Sequence, residues 1–148
     1  MDDPADLGRA RAAGTPTGND DRRASEQSAA RSSGPVIYLD SSVALAHLLA
    51  KDRFPPAELW DEQLVSGRLL ECEVWNRINA HQLRNSHGEA VRKLIGRVAM
   101  IEMVGPVLSR ALLPFPVPVR TLDAIHLAAI EFIRAQKQTV QLASYDER

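Results

Sequence analysis

The chain of 148 residues has one cysteine, Cys72, so it forms no internal disulfide, which fits a reducing compartment. No apolar run approaches the roughly twenty residues needed to span a bilayer, and the polar start lacks the apolar stretch of a signal peptide. An excess of charge of one sign is missing too. A formal net charge of −1 excludes the simplest kind of basic nucleic-acid binder, because affinity for phosphate must then come from a local patch or a bound metal. From Met1 to Gly34 there is no Val, Ile, Phe, Trp or Tyr. Such a segment cannot bury enough apolar surface to offset its ordering entropy, so residues 1–34 read as a disordered extension. These absences point to a cytoplasmic protein with one folded domain over residues 35–148.

The chain as a whole nevertheless has the 45% apolar content of an ordinary globular protein, and the remainder holds its core residues. Val36-Ile37-Tyr38-Leu39, between Gly34-Pro35 and Asp40-Ser41-Ser42, has the pattern of a buried parallel strand. Ser41 or Ser42 then caps a helix through Leu49. A second helix opens after Pro55-Pro56, and Leu64-Val65-Ser66 is a second strand. Leu70, Val74 and Ile78 recur at helical spacing within a helix from Leu69 to Leu83. Another helix is expected from Glu89 to Ala99, then a strand Ile101–Val104 ending at Gly105-Pro106. After the proline-rich loop 114–118, Thr121 caps a helix reaching Gln136, and Val140–Ala143 is the fourth strand. Strands alternating with helices predict an α/β fold with a parallel sheet covered on both faces. An α/β unit normally continues into another helix, so the end at Arg148 reads as truncated.

Four acids sit where a strand ends or on a helix: Asp40, Glu73, Asp123 and Asp146. The carboxyl ends of parallel strands are where ligands bind in such sheets, so distant acids can converge there. Converged carboxylates repel unless neutralised, and Mg²⁺ or Mn²⁺ is the usual partner of an oxygen-rich site. Asp40 and Asp123 are the candidate direct ligands, with Glu73 and Asp146 acting through water. Singly, each acid also has a structural role open to it: a cap for Asp40, a helix-dipole residue for Asp123, and an ion pair with Arg77 at i+4 for Glu73. Ser42 could orient a carboxylate, whereas Ser144 and His126 are read as structural. Arg68, Arg77, Arg84, Arg92, Lys93 and Arg97 give the middle helices a basic cast. Trp60, Trp75 and Phe54 are core residues or part of an apolar groove.

Tyr-Leu-Asp-Ser-Ser at 38–42 and Arg-Thr-Leu-Asp-Ala-Ile-His-Leu-Ala at 120–128 make the chain resemble PIN-domain proteins, most of all the VapC-type toxins of bacterial toxin–antitoxin pairs. The resemblance implies a three-layer α/β/α fold with four or so strands and a Mg²⁺- or Mn²⁺-dependent ribonuclease. It places Asp40, Glu73, Asp123 and Asp146, in order, at the family's four acids. It further implies an RNA substrate, a cognate antitoxin and a homodimer. The rival readings are a PIN-like module that binds antitoxin or RNA without cleaving, and an aspartyl phosphatase. The phosphatase is weak because Ser42 stands where an Asp-x-Asp pair needs its second acid. From the composition of the first segment, deleting residues 1–33 should shift the melting temperature by less than about 2 °C, a few tenths of a kcal/mol for such a domain. A calorimetric scan showing a larger drop would contradict the disorder expectation.

Overall fold

The computed structural model describes residues 34–50 and 52–146; the expected disordered extension lies outside the described residues. Four strands, β1 (Val36–Leu39), β2 (Leu64–Gly67), β3 (Ala99–Ile101) and β4 (Val140–Ala143), form one sheet in the order β3-β2-β1-β4. Every pairing is parallel. Among the described residues five helices accompany them: α1 (Ser41–Leu48), α2 (Leu69–Ala80), α3 (Arg84–Ile95), α4 (Gly105–Ala111) and α5 (Thr121–Ala135).

Side chains alternate across a strand, and β1 feeds two cores in this way. Leu39 joins Val43, Ala44 and Leu48 of α1, Leu70, Val74 and Ile78 of α2, and Val91 and Leu94 of α3. Val36 and Tyr38 face Val107 of α4 and Ala128, Ala129, Ile130 and Ile133 of α5. The result is a three-layer α/β/α arrangement. Among the described residues no helix is long and apolar enough to cross a membrane.

Several boundaries differ from expectation. Asp40, not a serine, caps α1 by accepting from the Ser42 amide. Thr121 is the first residue of α5 rather than its cap; Arg120 holds the cap position in extended backbone without a side-chain cap. Helix α3 starts at Arg84, because Gly88 lies within it against the Trp75 ring instead of breaking it. The third strand is Ala99–Ile101, and Gly105-Pro106 opens α4 rather than closing a strand. Proline is tolerated there because the first helical turn has no use for its N–H. Residues 57–61 form only a 3₁₀ turn, and α2 stops at Ala80, two residues before Gln82 at φ 57°. Trp60 and Trp75 pack against the α1–α3 core, whereas Phe54 is exposed.

Ile78 is fully buried and Leu112 is 86% exposed. Ile78→Ala should therefore cost about 2–5 kcal/mol, and Leu112→Ala should stay within about 0.5 kcal/mol. Urea denaturation of both variants checks where the core lies.

Candidate active site

Asp40 follows the last residue of β1, and Leu39 pairs in register with Ala143 of β4. The two strands therefore deliver Asp40 and Ser144 side by side. The Asp40 Oδ2 accepts from the Ser42 amide at 3.2 Å, from the Ser42 hydroxyl, and from the Ser144 hydroxyl at 3.1 Å. Ser144 Oγ in turn accepts from the Asp146 amide at 3.0 Å, and Ser42 Oγ from the Tyr145 amide at 2.9 Å. A hydroxyl has one donor and two acceptor sites, so each serine can serve the carboxylate and a backbone N–H together. Ser144 thus does more than the turn role expected of it: it also orients Asp40.

Asp123 lies in the first turn of α5, where the helix dipole favours a negative charge. Arg120 Nε is 3.3 Å from Asp123 Oδ2, and Arg120 Nη2 is 3.7 Å from Asp146 Oδ2. One guanidinium therefore stands between two of the four acids. Sequence reasoning assigns Arg120 no role; its position three residues before Asp123 at a helix start is the signal that could have found it.

Glu73 makes no ion pair with Arg77 among the described residues. Its Oε2 instead lies 2.7 Å from His126 Nε2, across from α2 to α5. His126 is buried, and its Nδ1 is 2.8 Å from the Tyr38 hydroxyl, with the two rings edge-on. Tyr38 Oη accepts from the Gly67 amide at 2.9 Å. The phenol proton is then available for Nδ1, which places the imidazole hydrogen on Nε2, where it donates to the Glu73 carboxylate. His126 has the structural role expected for it, but the role acts on a candidate site residue. Tyr38 and Gly67 escape sequence reasoning, because a tyrosine inside an apolar strand has only the signature of core. Glu71 pairs at the surface with Arg68 at 3.2 Å.

All four predicted acids line one open cleft of about 660 Å³. Asp52 lines it too, so five carboxylates face the three arginines Arg53, Arg77 and Arg120. Of the expected basic strip, Arg77 lines the cleft; Arg68 pairs with Glu71 and Glu102, Arg84 lies over Trp75, and Arg97 donates to the Trp60 carbonyl. Among the described residues, no three acidic, histidine or cysteine side chains group closely enough to hold one ion together. The donors nevertheless fit a hard cation. They are all oxygen, both nitrogens of His126 are engaged, and Mg²⁺ takes one or two carboxylates directly while keeping its waters. No family profile, curated protein or solved structure matches this chain.

The Tyr38 hydroxyl is pushed up from its usual 10 to about 12, chiefly by burial, with the Gly67 amide pulling the other way and the Asp40 and Glu73 charges adding to the rise. Below pH 10 the phenol is protonated whether the chain is folded or not. Between pH 10 and 12 the unfolded chain loses this proton first, so about 2–3 kcal/mol of stability disappears as pH rises. Tyr38→Phe should cost about 1–3 kcal/mol near pH 8 by orphaning the Gly67 amide, and should lack the alkaline loss. Denaturation curves of both proteins from pH 8 to 12 test this; a stability gap that does not change with pH would refute the buried neutral phenol.

Proposed function

We propose that this chain is a metal-dependent endoribonuclease, a PIN-domain protein of the VapC type that hydrolyses RNA phosphodiester bonds with Mg²⁺ or Mn²⁺. The observation that carries the reading is the convergence of Asp40, Glu73, Asp123 and Asp146 on one cleft beyond the carboxyl ends of β1 and β4. Asp40 and Asp123 are the residues that would hold the ion. The chemistry such an ion supplies when bound is a water made basic at neutral pH and Lewis-acid stabilisation of charge on the phosphoryl oxygens.

The chain's own groups prepare that chemistry. Serine hydroxyls fix the Asp40 carboxylate through Oδ2, so its other oxygen is the one left to face a cation. His126 fixes Glu73 through Oε2, so Oε1 is left to accept from a water. Asp146 is tied to Asp40 through Ser144, which links the end of β4 to the start of α1. The antitoxin partner, the homodimer and a cytoplasmic location rest on the likeness of residues 38–42 and 120–128 to VapC toxins. The single cysteine fits that location. One observation favours a second reading, a PIN-like module that binds antitoxin or RNA without cleaving: among the described residues no three acids group tightly, and Arg120 already contacts two of them.

Purified antitoxin-free protein, incubated with cellular RNA and Mg²⁺ or Mn²⁺, should release discrete products that EDTA abolishes. Asp40→Asn is the sharpest variant, since Asn caps a helix as well as Asp and the fold should survive. Its cleavage rate should fall by more than the ~10–100-fold that loss of an outer partner of a metal ligand costs. A folded wild type that binds RNA but leaves it intact would favour the binding module.

A further inference from the structure

We propose that Arg120 is a two-position residue: it neutralises Asp123 and Asp146 while the acids lack a cation, and it becomes the binding group for the substrate phosphate once a cation claims them. The inference rests on the metal-dependent nuclease reading above.

Three observations lead to it. The Arg120 guanidinium reaches two carboxylates from different elements, at 3.3 Å on α5 and 3.7 Å beyond β4. It therefore sits where a cation shared by these acids would compete with it. Its side chain is 65% exposed, held by one hydrogen bond to Asp123 and by a contact to Asp146 that is beyond hydrogen-bond length. Exposed pairs of this kind are weak and break readily when a stronger charge arrives.

The third observation concerns where the guanidinium goes. Helix α5 has no side-chain cap; the first helical hydrogen bond runs from the Ala124 amide to the Arg120 carbonyl at 2.8 Å. The amides of Thr121, Leu122 and Asp123 precede that bond, and all three residues line the cleft. Uncapped amides at a helix start bind phosphate, with the dipole in favour. An arginine at the cap position of the same helix adds a fork of donors that matches phosphate oxygens. A phosphodiester at this helix start lies beside the acids, so one residue couples cation loading to substrate binding.

The test is the Mn²⁺ affinity of wild type, Arg120→Gln, Arg120→Lys and Asp40→Asn by calorimetry. Binding of a single-stranded RNA is measured alongside by anisotropy at several salt concentrations, with Ca²⁺ present and the RNA checked as intact on a gel. Arg120→Gln should bind Mn²⁺ roughly two- to tenfold more tightly, because a competing charge is gone. The same variant should bind RNA more weakly, with a log–log salt slope smaller by about 0.7, the loss of one phosphate contact. Arg120→Lys should restore most of that slope. A residue that merely braces the fold would not tighten metal binding when removed. If wild type binds Mn²⁺ and Asp40→Asn loses it, but Arg120→Gln leaves affinity and slope unchanged, the proposal fails and the nuclease reading stands. If wild type binds no Mn²⁺ at all, the underlying reading fails and the proposal goes with it.

Discussion

Carboxylates gathered at one end of a parallel sheet repel one another, and at an effective dielectric of about 20 each like pair at 4 Å costs about 4 kcal/mol. Five of them line this cleft, so the fold depends on how each is compensated. For the four acids from the end of β1, α2, α5 and the end of β4 the compensation is local and takes three forms. Asp40 uses one oxygen to accept from two serine hydroxyls and from an amide at the start of α1. Glu73 takes a proton donor from His126. Asp123 and Asp146 share one arginine. Asp40 and Glu73 are held by hydroxyls and an amide or by a buried ring. The two acids near Arg120 are held by an exposed, solvated charge. That difference separates acids oriented by hydroxyls or a buried ring from acids beside an exposed arginine.

The setting of Glu73 is built through the sheet rather than on top of it. Tyr38 points from β1 into the layer formed by α4 and α5, and its hydroxyl joins β2, through Gly67, to α5, through His126. His126 then reaches over the strand ends to Glu73 on α2, a helix that belongs to the opposite layer. One chain of hydrogen bonds therefore crosses from one layer to the other and ends on a carboxylate. Glycine at position 67 follows from this packing: a Cβ there would stand 3.0 Å from the Tyr38 hydroxyl, tighter than side chains normally tolerate. An added Cβ would require the phenol to shift by a few tenths of an ångström at the point where it meets the imidazole.

What is legible in the sequence is what is local. A short β-rich run followed by Asp-Ser-Ser specifies a strand end and a helix start, and the helical spacing of Leu70, Val74 and Ile78 specifies a buried face. From these the parallel sheet follows, and with it the gathering of four acids at one edge. What is not legible depends on partners far apart in the chain. Tyr38 and His126 are 88 residues apart, and nothing in the apolar run around Tyr38 signals that its hydroxyl has a partner. Glu73 has Arg77 four residues on, the nearer partner by sequence, but the other side of the cleft offers a buried donor at 2.7 Å. Gly88 and Pro106 look like breakers by their usual local habit, whereas packing against Trp75 and placement in a first turn make both compatible with helix.

Asp146 shows how far a site residue can depend on another site residue rather than on the core. It lies three positions beyond β4, which among the described residues pairs with β1 alone. Its amide donates to Ser144, whose hydroxyl donates to Asp40, and the Tyr145 amide between them donates to Ser42. The segment is thus moored to the first acid by two hydroxyls, and to the third by Arg120. A hydroxyl that accepts from an amide while donating to a carboxylate is polarised in one direction, so each link strengthens the next. The charge on Asp40 therefore orients the hydroxyls that fix the backbone ahead of Asp146. That mooring makes Asp40 and Asp146, the first and last of the four acids, a single unit.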